Sequence, residues 1–199
     1  MVRLRCELLA TLSVFMCLAA VAQSRPPAVP LITHNPYFSI WSMADHLTDQ
    51  STKHWTGAEQ PLTGLVRIDG KPYRFMGNRP DRLPALHQEQ LQIAPLHTRY
   101  TFAGDGIVLD LTFFTPAFPE DLDVLSRPVT YVTWNTHATD GKTHNVEIYL
   151  DADGRIAVDR GDQPVVWSRS RCKGMTTGAI STWEFPTPSR QKQRSLRAL

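Results

Sequence analysis

Cysteine is close to absent, with three residues in 199, at positions 6, 17 and 172. So small a set excludes the disulfide framework that staples small secreted domains. Past residue 22 no apolar run approaches the roughly 20 residues that a membrane-spanning helix needs. No twelve-residue window carries a helical stripe. The body has no Gly-x-Ser-x-Gly elbow, no Gly-x-x-x-x-Gly-Lys-Ser/Thr loop and no His-Glu-x-x-His pair. Residues 23–171 also hold no cysteine, so a thiol nucleophile is excluded there. Neither charge dominates: 21 basic and 19 acidic residues give a net +2. That balance argues against a nucleic-acid partner, which calls for a concentrated basic surface. What remains is a globular composition, 42% apolar and 20% charged.

The one long apolar run lies at the start. Arg3 and Arg5 precede Leu8–Val21, and Ala20-Val21-Ala22 has the small-x-small form of a cleavage site. This reads as a secretory signal peptide over residues 1–22, cleaved after Ala22. A secreted or periplasmic protein follows, without stable membrane association after cleavage. Cleavage removes Cys6 and Cys17, and Cys172 alone cannot form an internal disulfide.

What the chain has in quantity is turns. Asp-Gly pairs stand at 69–70, 105–106, 140–141 and 153–154. Asp-Gly between alternating apolar residues signals a hairpin, because a type I′ turn needs positive φ at both central positions. With Asp105-Gly106 as a two-residue loop, Phe102 faces Leu109, Tyr100 faces Leu111 and Thr98 faces Phe113. Around Asp69-Gly70, Val66 faces Tyr73 and Ile68 faces Lys71. Pro72 cannot donate to a ladder and puts that hairpin at an edge. Around Asp140-Gly141, the strand Thr143–Asp151 sets Val146, Ile148 and Leu150 on one face and places His144 across from His137. Further strands are expected at Gln88–Ala94, Val129–His137 and Val165–Ser168, and single helical turns at Asp45–Asp49 and Pro119–Leu122. The fold class is all-β, an antiparallel β-sandwich.

Charge is unevenly spread. Residues 23–167 carry 12 basic and 17 acidic side chains, a balance of −5, whereas residues 168–199 carry 7 basic residues and Glu184, a balance of +6. The alternation also stops there, so residues 170–199 are expected to form an irregular basic tail.

Candidate site residues cluster in Tyr37–Gly57, which lacks a strand or helix pattern and reads as an ordered aromatic loop. Trp41, Asp45, Asp49, His54 and Trp55 are its candidates for a cleft or an interdomain contact. Two imidazoles at 137 and 144 fall short of the three protein ligands zinc wants. Asp151-Ala152-Asp153-Gly154 lacks the full calcium-loop spacing and reads as a turn. No metal and no cofactor is expected. Asp121 and Asp123 read as a loop paired with Arg127. Trp134 and Trp167, on strands, read as core.

One resemblance covers about residues 25–169. Pro30–Ser42 (PLITHNPYFSIWS), Leu47-Thr48-Asp49, His54-Trp55-Thr56-Gly57, Pro61–Leu65 with Arg67–Gly70, Phe113–Ala117 and Asp121–Tyr131 together resemble the N-terminal part of the glutaminase A family of secreted or periplasmic proteins. The resemblance implies a β-rich region that is followed, in full-length members, by a large α-helical toroid. It also implies hydrolysis of L-glutamine to L-glutamate and ammonia. No helical domain stands in these 199 residues, so a chain truncated before it is expected. The implied organisation is a signal peptide (1–22), a glutaminase A-like segment with the aromatic loop and first hairpin (23–80), a β-sandwich domain (81–169) and a divergent tail (170–199). The resemblance assigns no catalytic residue here, and the chain alone is expected to be inactive. Its implied partners are the helical domain or a small-molecule amide. The competing expectation is a non-enzymatic carbohydrate- or cell-wall-binding sandwich that uses Trp41 and Trp55 as stacking platforms.

Overall fold

Strict alternation builds the centre of the molecule. In the computed structural model, which describes residues 26–172, 175–182 and 195–198, strands β7 (His97–Gly104) and β8 (Ile107–Phe114) bury every second side chain. Tyr100, Phe102, Ile107, Leu109, Leu111 and Phe113 are all but sealed from solvent. The register is the expected one, with Phe102 opposite Leu109, Tyr100 opposite Leu111 and Thr98 opposite Phe113. Asp105 and Gly106 carry φ of 46° and 79°, as a type I′ turn demands. β6 (His87–Ala94) and β9 (Tyr131–Ala138) flank this hairpin, giving the order β6-β7-β8-β9.

A second sheet has the order β10-β4-β5, from β4 (Leu62–Ile68), β5 (Lys71–Met76) and β10 (Val146–Ala152). Asp69-Gly70 turns β4 into β5 with Val66 opposite Tyr73 and Ile68 opposite Lys71, and Pro72 lies on an edge strand as expected. A third sheet holds β1 (Val29–Asn35), β2 (Phe38–Ser42) and β3 (Lys53–His54). One apolar cluster spans all three: Val29, Ile40 and Leu47, then Val66, Ile68 and Phe75, and the β7–β8 row all belong to it. Phe75 and Phe102 touch across the sandwich with ring centroids 6.0 Å apart. Gly64 lets them do so, since a Cβ there would run into the Phe75 ring. The Thr98 hydroxyl donates to the Pro30 carbonyl at 2.6 Å and ties β7 to β1. The fold is an antiparallel all-β sandwich.

Several expectations are corrected. β10 does not fold back on β9 through Asp140-Gly141; it crosses to β4 and pairs along its whole length, from Val146 opposite Ile68 to Ala152 opposite Leu62. The β4 register sets Val146 and Ile148 opposite the fully buried Ile68 and Val66, which the largely exposed β9 does not offer. His137 therefore faces Val108, not His144. Trp134 and Trp167 are not core: they are 36% and 73% exposed, on strands with one uncovered side. The aromatic loop is partly strand, since β2 and β3 lie within Tyr37–Gly57. Asp121 does not hold a loop through Arg127; its carboxylate accepts from the Val124 amide and caps the short helix α1 (Leu122–Leu125).

The signal peptide expected over residues 1–22 lies outside the described residues. Past Arg169, where an irregular tail was expected, the described residues are strands: β11 (Val165–Cys172) pairs with β12 (Met175–Thr182), and β12 with β13 (Ser195–Ala198). The ladder is made by backbone groups, and a Ser/Thr/Arg-rich ribbon needs no apolar alternation to form it.

Phe102→Ala should cost about 3–5 kcal/mol, the usual range for emptying a packed aromatic site. Trp167→Ala should stay within about 0.5 kcal/mol, as an exposed change does. Urea denaturation of both variants checks the contrast.

Candidate functional site

The aromatic segment is wired to itself. Asn35 Oδ1 accepts from the amides of Tyr37 (2.9 Å) and Phe38 (3.0 Å) and shapes the β1–β2 turn. The Pro36 carbonyl in that turn accepts two bonds, from His54 Nε2 at 2.8 Å and Trp55 Nε1 at 2.7 Å. Because a carbonyl only accepts, His54 Nε2 carries a hydrogen, and Nδ1 takes the Thr56 hydroxyl at 2.8 Å. Trp41 Nε1 donates to Ser39 Oγ at 2.6 Å. A groove of about 390 Å³ opens beside these residues, lined by Thr33, His34, Asn35, Ser39, Trp41 and Trp55 with Pro36.

The structure thus brings Trp41, His54 and Trp55 around one turn, and it does not bring Asp45 and Asp49 to them. The Asp49 carboxylate accepts from the His46 amide at 3.0 Å and meets its ring at 3.2 Å. The Asp45 carbonyl takes Gln88 Nε2 at 3.3 Å, and Gln88 Oε1 takes the Leu47 amide at 2.9 Å. That loop is pinned to the start of β6, whereas the far end of β6, at Ala94, lies beside Thr33.

This far end of the sandwich is aromatic and apolar. His97, Phe114 and Tyr131 stack across β7, β8 and β9, with centroids 4.4 and 6.0 Å apart. His34 stacks on Phe38 at 5.3 Å, and its Nε2 meets the Thr130 hydroxyl at 3.0 Å. Burial holds the His34 pKa below its ordinary value, so the ring is uncharged at neutral pH. Ile93, Phe118, Leu122, Leu125 and Tyr131 are exposed here, and Tyr37 and Trp55, in turns next to β2 and β3, are exposed beside the groove that shares Thr33. A smaller recess of about 100 Å³ between Pro30, Leu31, Pro95, His97, Phe113 and Ala117 continues the surface.

The opposite end is charged, and sequence reasoning missed it. Three of the Asp-Gly turns converge there. His144 Nδ1 meets Asp69 Oδ2 at 2.7 Å and its Nε2 meets Asp140 Oδ1 at 3.0 Å, with the ring side chain only 10% exposed. Ionised carboxylates only accept, so both contacts call for an N–H donor and favour the imidazolium form of His144. The hydrogen bonds to Asp140 and then Asp69 raise its pKa. Asp140 is lowered to about 2, mainly by the His144 bond, and Asp69 is lowered by the Asn145 amide and then His144. Asp105 joins through Tyr73 Oη at 2.6 Å and Lys71 Nζ at 3.2 Å. Gly106 sits against the clamp, since a Cβ there would come within 2.9 Å of His144 Nε2 and of Asp140 Oδ2. The signal in the sequence was the repeated Asp-Gly; what joins the turns is the crossing of β10. Among the described residues, no group of three or more His, Cys, Asp or Glu is placed to hold a metal. Asp153, considered for calcium, caps the 3-10 turn Gly154–Ala157 and pairs with Arg155 at 3.0 Å.

Comparison with known proteins bears on both ends. A family described as "Domain of unknown function (DUF5127)" matches residues 96–196, and one described as "Domain of unknown function (DUF4964)" matches residues 5–87. The first match runs past Arg169 into the basic segment. Glutaminase A of Aspergillus oryzae is 29% identical over 142 residues, which cover 67% of this chain and 20% of that protein. A probable glutaminase of Arthroderma benhamiae is 26% identical over 195 residues, covering 87% and 22%. The chain therefore spans about a fifth of the length of these curated relatives. No solved structure matches it.

The clamp sets a pH window. The raised His144 pKa contributes stability in full below its ordinary 6.5, and that stability is lost as pH rises through the raised value. The lowered carboxylates contribute above their ordinary 3.8, and that contribution is lost as pH falls toward the Asp140 value of about 2. Tm should be highest between these limits and fall on both sides. His144→Gln should lower it within the window and flatten the alkaline limb, which thermal melts across pH will show.

Proposed function

Because the chain belongs to the DUF5127 family and carries the N-terminal region of a glutaminase A-type protein, we propose that it is the non-catalytic β-sandwich of a secreted or periplasmic amidohydrolase. The reaction of the whole protein is hydrolysis of L-glutamine to L-glutamate and ammonia. The observation that carries the non-catalytic role is the wiring of the aromatic segment. An amide hydrolase needs an activated nucleophile and donors aimed at an oxyanion. Here His54, Trp41 and Trp55 spend their ring N–H groups on Pro36 and Ser39, and Asp45 and Asp49 sit in another loop.

The aromatic end supports a docking role in that protein. Leu122 is 72% exposed and Tyr131 54%, in one region with Phe118 and Leu125. Apolar surface gathered in this way marks an interaction site. The helical domain implied by the family resemblance is its partner on this reading, and the export signal read over residues 1–22 supports a location outside the cytoplasm.

Incubated with L-glutamine, the 199-residue chain should release no ammonia above background. Turnover that disappears in Asp45→Asn or His54→Ala would place a catalytic centre in the aromatic segment and end the proposal. On this reading the 199-residue chain self-associates in sedimentation velocity, and Leu122→Lys with Tyr131→Lys should reduce that, with a small drop in Tm from the lost Tyr131–Phe114 stacking.

A further inference from the structure

The groove beside Trp55 has no formal charge. Among its lining residues are no Asp, Glu, Lys or Arg, and its one titratable side chain, His34, is held uncharged by burial. An amino acid, a phosphate or an ammonium ion entering it would leave water without an opposite charge to meet, which is costly. What the groove offers is ring surface and neutral hydrogen-bonding groups. The indole N–H groups of Trp41 and Trp55 are bonded internally, so these residues present their faces and not their polar edges. Trp55 is 57% exposed, yet its N–H is anchored at 2.7 Å. A platform fixed before the ligand arrives loses little freedom on binding. Asn35 Oδ1 is taken by the Tyr37 and Phe38 amides, which leaves its NH₂ as the recognition group. Ser39 Oγ accepts from Trp41 and keeps its own hydrogen, and Thr33 lines the same groove. Tyr37, 91% exposed at the turn, extends the surface beyond the groove.

We propose that this groove binds a neutral saccharide, with a sugar ring laid on Trp55 and its hydroxyls met by Asn35, Ser39 and Thr33. A pyranose presents C–H bonds on its face and hydroxyls at its rim. The electron-rich indole face attracts the first, and neutral amide and hydroxyl groups suit the second. The volume of about 390 Å³ falls within the range of small-ligand sites. Free glutamine, with two charges, does not fit this lining, so the ligand is independent of the amidohydrolase reading.

The test titrates the 199-residue chain with cellohexaose and with hexa-N-acetylchitohexaose, following tryptophan emission. At least one should give a saturable change, and L-glutamine should give none. Trp55→Ala should weaken binding by about tenfold or more, a change of about 1.4 kcal/mol. Trp167→Ala, on β11 and outside the groove lining, should bind like the parent. Should Trp55→Ala fail to fold, Thr33→Trp fills the groove from an exposed strand position and should abolish binding. No emission change with either sugar at millimolar concentration, or unweakened binding by a folded Trp55→Ala or Thr33→Trp, overturns the proposal. Saturable binding of L-glutamine in the groove overturns it too. Ammonia release from glutamine is measured separately, so failure here leaves the amidohydrolase reading standing.

Discussion

The buried row shared by β7 and β8 carries the rest of the structure. Six large side chains, Tyr100, Phe102, Ile107, Leu109, Leu111 and Phe113, form one continuous apolar surface on two adjacent strands. A sheet with such a face must cover it, and the other two sheets exist on terms set by that cover. Phe75 reaches it because Gly64 leaves room. Val29 and Ile40 reach it from the first hairpin, which Thr98 ties down by a hydrogen bond to Pro30. Without disulfides, that packing and the ladders are what hold the described body together.

The sandwich has unlike ends because its turns and its strand starts do different work. At one end, chain reversals need positive φ, which selects Asp-Gly, and the carboxylates that come with those turns are gathered by His144, Lys71 and Lys142. At the other end, the stacked His97, Phe114 and Tyr131 and the Pro36 turn give a surface rich in aromatic rings. Stability-related electrostatics and the candidate binding surface are thereby kept at opposite ends, along strands about eight residues long.

What could be read in the sequence was local. Asp105-Gly106 and Asp69-Gly70 fix their hairpins within a few residues, so register, facing pairs and the edge position of Pro72 all follow from short-range rules. The failures share one cause, which is that the partner is far away in the chain. Asp140-Gly141 looks like the other two turns, yet β10 pairs with β4, so His144 meets Asp69, 75 residues away, and not His137. Trp134 shows the same limit, because apolar alternation tells which face a residue takes and not whether anything covers it. In the aromatic segment, composition identified Trp41, His54 and Trp55, but their shared turn depends on Asn35 and Pro36, which had no such signal. Asp45 and Asp49 were close in sequence, but the Asp45 carbonyl is held by Gln88 of β6 and the Asp49 carboxylate by His46.

The pairing of β4 with β10 also has a history in time. β4 is the middle strand of its sheet, but its second neighbour lies about 80 residues further along, as the Arg67–Glu147 contact shows. A chain emerging from the ribosome completes the β4–β5 hairpin long before β10 is present. During that interval the inner strand Leu62–Ile68 has an open edge with Val66 and Ile68 uncovered, the kind of edge that recruits other chains. Closure of so long a loop makes the fold intrinsically slow to finish. For a protein built this way, the vulnerable moment is the wait for the strand that closes the open edge of β4.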